Sequence, residues 1–289
     1  MTRARSRGVT VPGRAVWIDG RIVRGDDAVV SVFDRGTRDG GGLFETLRVY
    51  GGRPFAWQRH LERLVLSAAV LGFPVPPSPA ELAEGVRGLL AEQSLADAVV
   101  RITVTRGIAG GRPTRVGAWI DAESTGSRLW AGTRTGRASA ITSPLAFEPG
   151  WLGAHKTTSR MAWDLAREQA RAAHADEALL LSPAGHVLEG AASNVFVVRG
   201  GGLLTPPLSQ HVLPGVTRAL VFGLAAQLRL RCDEAILTRA DLDRADEILL
   251  TNSVQEVLAL ATLDGRGLPS RGIGERLRAA YRETVAAER

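Results

Sequence analysis

Val187-Leu188-Glu189-Gly190-Ala191-Ala192-Ser193-Asn194-Val195-Phe196 puts a carboxylate at the end of an apolar run. Four small residues follow, then an asparagine and a strand. Glu189 reads either as a charge with room made beside it or as an ordinary turn residue. Further on, Leu203-Leu204-Thr205 is another short strand, and Leu213-Pro214-Gly215-Val216-Thr217-Arg218 opens a long apolar helix. The first backbone N–H groups of a helix lack partners within it, so a helix start attracts anions. Proline and glycine at the entry suit that geometry. An ordinary helix start has the same composition.

Upstream lies Gly153-Ala154-His155-Lys156-Thr157-Thr158-Ser159-Arg160. The chain has 36 basic residues, and Lys156 is the only lysine among them. Arginine replaces lysine readily in solubility and ion pairing. It cannot replace a primary-amine nucleophile, because guanidinium stays protonated. Either Lys156 is kept for its chemistry, or one lysine persists by chance in an arginine-rich composition.

The whole chain narrows the choice. Its 289 residues suit one large domain or two ordinary ones, and 45% hydrophobic content supports a buried core. The net charge of +6 invites a nucleic-acid partner. The arginines are scattered, however, and aromatic residues are few, which argues against it. One cysteine, Cys232, excludes an internal disulfide framework and fits a reducing compartment. The five histidines lack paired-ligand spacing, so no metal site is expected. No apolar run reaches membrane-spanning length and no signal peptide is evident, so a cytoplasmic protein is expected.

Residues 1–13 read as a basic, flexible tail. Asp19-Gly20 predicts a hairpin turn between Ala15–Ile18 and Arg21–Val23. Val29–Phe33 is a short apolar run, and Gly40-Gly41-Gly42 leads into a strand from Phe44 to Tyr50. Helical periodicity marks 57–71, where His60 and Arg63 share a face and could be a plain surface pair. A second helix covers 81–92, and strands are expected at 99–105 and 116–120, with a glycine-rich turn over 108–112. This gives a smaller α+β N-terminal domain over 1–121 and a linker at 122–127. A larger mixed α/β domain follows over 128–289. In it, 160–173 is expected to be a helix with Met161, Leu165 and Ala172 on one side. The strands fall at 177–181, 187–188, 195–198 and 248–251, with a terminal helix over 271–289.

An amine, a carboxylate, a helix-start anion site, the hydroxyl of Ser253 and the guanidinium of Arg63 are the groups that pyridoxal phosphate requires. Their order resembles the class IV (fold type IV) pyridoxal-phosphate enzymes. These include branched-chain and D-amino-acid aminotransferases, (R)-amine transaminases and aminodeoxychorismate lyases. The likeness runs from about Val16 to about Asp264 and is most specific at Glu189-x-Ala191-x-x-Asn194-Val195-Phe196, Leu203-x-Thr205 and Leu213-x-Gly215-Val216-x-Arg218. Leu43–Arg48 and His60–Leu64 match as well.

The resemblance implies an α/β fold of type IV and a homodimer. Lys156 would be the Schiff-base lysine and Glu189 the partner of the pyridine nitrogen. Arg63, the amides of Val216 and Thr217, and Ser253 would hold the phosphate. Phe44, Arg101, Arg106 and Arg160 would contact substrate. Side chains alternate along a strand, so Arg101 and Arg106 face the same pocket only if the strand bulges or ends between them. The expected reaction is transfer of an amino group between an amino acid or amine and a 2-oxo acid. The alternative is aminodeoxychorismate lyase, releasing pyruvate and 4-aminobenzoate.

Overall fold

Alternating apolar residues build the first sheet, and a change to helical period builds the layer that covers it. The computed structural model describes residues 14–108, 117–136, 138–269 and 272–288. The expected N-terminal tail and most of the 108–112 turn lie outside these. The chain divides into two compact units between Ser124 and Thr125.

In the first unit the strands are β1 (Ala15–Ile18), β2 (Arg21–Arg24), β3 (Gly42–Tyr50), β4 (Arg53–Pro54), β5 (Ala98–Thr105) and β6 (Ala118–Ser124). They form one antiparallel sheet in the order β2-β1-β6-β5-β3-β4. The helices are α1 (Arg35–Asp39), α2 (Trp57–Val70) and α3 (Pro79–Glu92). Leu61, Leu64 and Ala68 of α2 and Leu82, Val86 and Leu89 of α3 pack with Leu47, Ile102 and Ile120. That face of the sheet is the core. Phe44, Arg101 and Thr103 alternate onto the opposite face. The β1–β2 hairpin turns at Asp19 and Gly20, both with positive φ (47° and 95°), as the Asp-Gly signal requires. Val29–Phe33 forms no strand, and its valines and phenylalanine are exposed. The glycine triplet ends α1: Gly40 is its left-handed cap, and Gly42 starts β3.

The second unit begins with α4 (Thr125–Arg128) and α5 (Ala131–Thr135). Next come β7 (Ala138–Ala146), α6 (Met161–Ala172), β8 (Glu177–Leu181), β9 (His186–Gly190), β10 (Asn194–Arg199) and β11 (Gly202–Thr205). The chain continues through α7 (Val216–Gln227), β12 (Cys232–Glu234), β13 (Leu237–Thr238), α8 (Arg239–Asp243), β14 (Glu247–Asn252), β15 (Glu256–Leu263), β16 (Arg266–Gly267) and α9 (Gly272–Ala287). The strands make a ten-stranded mixed sheet in the order β12-β11-β10-β14-β15-β7-β8-β9-β13, with β16 on β15. β7 lies parallel to both β8 and β15, which places α6 as the crossover from β7 to β8. Glu247, buried on β14, accepts the Ile273 and Gly274 amides at 2.7 and 2.9 Å and so caps α9.

The buried face of α6 differs from the sequence expectation. Ala166 and Ala170 are buried with Trp163 packed beside them, whereas Met161, Leu165 and Ala172 are exposed. Spacing of three and four residues also fits this set. Small alanines let the helix lie close to the sheet, which larger apolar residues would prevent. Among the described residues no helix is long and apolar enough to cross a membrane.

Candidate active site

Lys156 sits in the irregular segment between a 3-10 turn at Gly150–Ala154 and α6, and it is half-buried. Gly153 explains how that loop is placed. A side chain there would start 2.2 Å from the His211 carbonyl oxygen, so only glycine lets the two segments touch. The 211 segment leads directly into the entry of α7. The loop carrying the lysine is therefore packed backbone to backbone against the segment that leads into that helix.

Glu189 is a buried strand residue on β9, not a turn residue. Both carboxylate oxygens accept hydrogen bonds. The indole Nε1 of Trp163 donates to Oε1 at 3.1 Å, and the Leu213 amide donates to Oε2 at 3.0 Å. Burial pushes the carboxyl above its ordinary value. The two donors and the charges of Arg160 and Lys156 pull the other way without cancelling the rise. Lys156 and Glu189 thus act on one another electrostatically within this unit.

Small residues after Glu189 make room for a second buried acid. Glu177 on β8 is fully buried and accepts the Ser193 hydroxyl at 2.8 Å and the Ala192 amide at 3.0 Å. Burial raises its pKa as well. Its carboxylate holds the 190–193 turn, and so fixes the chain between Glu189 and Asn194.

Asn194 begins β10, and its amide donates to the Leu213 carbonyl at 2.9 Å. A side chain on Gly215 would start 2.0 Å from Asn194 Oδ1. The asparagine therefore requires glycine at 215, and the glycine is the N-cap of α7. No side chain caps that helix. The buried Val216 and Thr217 begin it, so their amides are the donors offered to an anion. Ser253 lies in the β14–β15 turn. There Asn252 Oδ1 accepts the Val254 and Gln255 amides at 2.9 and 2.7 Å, and its side-chain amide donates to the Ala192 carbonyl at 3.0 Å. Signature residues thus clamp the turn after β9 to the segment that enters α7.

Arg160 directly precedes α6. Its guanidinium donates to the Ala191 carbonyl at 2.7 Å and lies 5.4 Å from the Trp163 ring centroid. Burial lowers its pKa.

In the first unit His60 and Arg63 are not a surface pair. Both reach the buried Glu45 on β3. His60 Nδ1 lies 2.7 Å from Glu45 Oε2, while Arg63 donates from Nε to Oε1 at 2.8 Å and from a terminal nitrogen to Oε2 at 2.6 Å. Burial opposes ionisation of Glu45. The Arg63 charge and the bonds from His60 and Arg63 overcome it and bring the carboxyl down to about 2. The bidentate clamp fixes the plane of the Arg63 guanidinium.

β5 ends at Thr105, between Arg101 and Arg106. The Arg101 guanidinium stacks 3.7 Å from the Phe44 ring centroid. Arg106 instead donates to the Leu71 carbonyl and lies 5.0 Å from the Phe73 ring centroid, at the end of α2.

Three participants escape a sequence reading. Glu45 carries a usable signal: it interrupts the inward row Leu43, Leu47 and Val49 with a charge. Glu177 and Trp163 carry none, because each looks like an ordinary strand or helix residue.

The family model described as amino-transferase class IV matches residues 42–262. A putative branched-chain-amino-acid aminotransferase of Methanocaldococcus jannaschii is 34% identical over 269 residues, covering 90% of this chain and 91% of the relative. The D-alanine aminotransferase of Bacillus licheniformis is 29% identical over 257 residues, covering 88% and 90%. Among solved structures, the branched-chain aminotransferase of Thermoproteus uzoniensis with norvaline matches with a TM-score of 0.83 at 28% identity, covering 95% of each chain. A PLP-bound hypothetical aminotransferase from Mycobacterium tuberculosis matches with a TM-score of 0.85 at 28% identity, covering 95% and 100%.

Proposed function

Since the chain belongs to the class IV aminotransferases, which are pyridoxal-phosphate enzymes, we propose that Lys156 and Glu189 are the two residues through which it transfers amino groups. The reaction moves an amino group from a donor to a 2-oxo acid. The relatives reported above are aminotransferases by name, and they do not favour the lyase alternative.

The observation that carries the assignment is the Glu189 carboxylate. It is buried, held at both oxygens, and lies within the field of the chain's only lysine. A desolvated carboxylate fixed in this way suits a protonated ring nitrogen. The uncapped start of α7 suits a phosphate. When bound, pyridoxal phosphate supplies an aldehyde carbon and an electron-withdrawing ring. Lys156 would supply the amine that holds the cofactor, and its Nζ would accept and return the α-proton of the donor. Glu189 would face the ring nitrogen and favour its protonated form. The amides of Val216 and Thr217 and the Ser253 hydroxyl would bind its phosphate, and Arg63 is the candidate phosphate contact of the first unit.

Arg101 and Arg106 are the first unit's candidate groups for a donor carboxylate. Arg106 is engaged with the Leu71 carbonyl and Phe73, while Arg101 stands beside Phe44 on the sheet face opposite the core. Arg160 is held by Ala191 and Trp163, and in this reading it orders the site.

A cytoplasmic homodimer completes the proposal. The lone Cys232 suits a reducing compartment. Val29, Val30, Val32 and Phe33 leave apolar surface exposed on the single chain, of the kind a second copy covers. Light scattering tests this directly: a mass of two chains is expected, and a monomer at micromolar concentration removes the dimer.

The functional test mixes the cofactor-loaded enzyme with D-alanine, D- and L-glutamate, L-leucine and (R)-phenylethylamine, each without acceptor. An amino acid that discharges the aldehyde absorbance with one equivalent of oxo acid supports the proposal. Catalytic pyruvate release from aminodeoxychorismate, with no donor converting the cofactor, overturns it.

A further inference from the structure

Glu189 presents a problem that its own burial creates. A carboxylate is useful beside a protonated ring nitrogen only while it stays ionised, and burial works against that. Something must favour the charge without neutralising it. An arginine pressed against both oxygens would hold the carboxylate but also cancel it.

The contacts around Glu189 offer a neutral donor. Trp163 stands on the first turn of α6, its indole N–H 3.1 Å from Glu189 Oε1. The ring is locked on two sides. Phe147 meets it edge-on, with centroids 4.6 Å apart at 75°. The Arg160 guanidinium lies 5.4 Å from its centroid. Arg160 is itself tied to the Ala191 carbonyl, two residues beyond Glu189. A cation near the indole also draws electron density from the ring and makes its N–H a stronger donor. Arg160 therefore bears on the carboxylate by its charge and also through the Trp163 ring, with no hydrogen bond from it to Glu189 among the described contacts.

We propose that Trp163 is the positioning residue of the Glu189 carboxylate, a neutral N–H donor that keeps it ionised and aimed, with Arg160 behind the ring as its support. The inference rests on the reading of Glu189 as the partner of the cofactor ring. The charged groups acting on Glu189 are Arg160, at the entrance to α6, and Lys156, on the preceding loop.

The test uses full-length protein and the variants Trp163→Phe and Glu189→Gln. Phenylalanine keeps an aromatic ring beside Phe147 and removes the N–H together with part of the ring volume, so the pH readout below separates the donor from packing. Two readouts lie outside turnover. The first is the dissociation constant of added pyridoxal phosphate as a function of pH. Trp163→Phe is expected to weaken binding about tenfold, the worth of one hydrogen bond to a charged group. It should also move the acid limb of the affinity profile to higher pH, because Glu189 then protonates more easily. The KM of the amino donor should stay unchanged. A role confined to packing would not move the acid limb. The second readout needs no Trp163 variant: the indole N–H resonance of Trp163 should titrate with Glu189 in the otherwise unaltered chain and lose that titration in Glu189→Gln.

If Glu189→Gln alters cofactor affinity while Trp163→Phe reproduces the parent profile, the role of Trp163 is overturned and the reading of Glu189 stands. If both variants match the parent, the reading of Glu189 fails and takes the inference with it. An indole signal that ignores pH overturns the inference by itself.

Discussion

Glu45→Gln perturbs one atom pair and carries a calculable cost. The parent carboxyl lies at about 2 against an ordinary 4.5. A tenfold change in proton affinity is worth about 1.4 kcal/mol, so ionised Glu45 contributes roughly 3 kcal/mol to folding. Glutamine keeps the shape but leaves the buried His60 and the largely buried Arg63 without their counter-charge. The sign follows from linkage. A carboxyl whose folded pKa is depressed stabilises fully above its unfolded value, and the contribution fades as pH falls from about 4.5 towards 2. The assay is amide hydrogen exchange at Leu47 and Ile102, in the core of β3 and β5. At pH 7 protection in the variant should drop on the order of a hundredfold, which is roughly 3 kcal/mol. The gap should narrow progressively below about pH 4.5 and close only as pH approaches 2. Equal protection at pH 7, or a gap that does not narrow in acid, would refute the reasoning.

Two other variants address the cofactor side. Arg63→Ala should weaken retention of pyridoxal phosphate by roughly 1.5–3 kcal/mol, the worth of a charge-assisted contact; equilibrium dialysis reads it, and unchanged affinity takes Arg63 out of the site. Gly215→Ala drives a methyl into Asn194 Oδ1 and should cost roughly 1–3 kcal/mol of stability, seen as a lower denaturation midpoint; Asn194→Gly in the same chain should restore most of it, and no recovery means the clash is elsewhere.

The readable parts of the chain are those with local causes. The β1–β2 hairpin follows from Asp19-Gly20, which supplies the two left-handed residues that the turn needs. The start of α7 follows from Pro214-Gly215, and the strands around Glu189 follow from short apolar runs bounded by turn residues. Packing partners are another matter. Helix α6 offers two apolar stripes, and only the distance to the sheet selects the alanine one. His60 and Arg63 share a helix face, but the residue they serve, Glu45, lies on a different element. The indole of Trp163 finds Glu189 across a gap of 26 positions. Long-range pairing of this kind leaves no periodic trace.

The central claim is that the lone lysine carries the cofactor, and its most direct test is chemical. Cofactor-loaded protein is reduced with borohydride, digested, and mapped by mass spectrometry, alongside Lys156→Arg treated identically. The account predicts a phosphopyridoxyl group on the peptide containing Lys156 and none in the variant. A label on another residue, or reducible cofactor retained by Lys156→Arg, would contradict it.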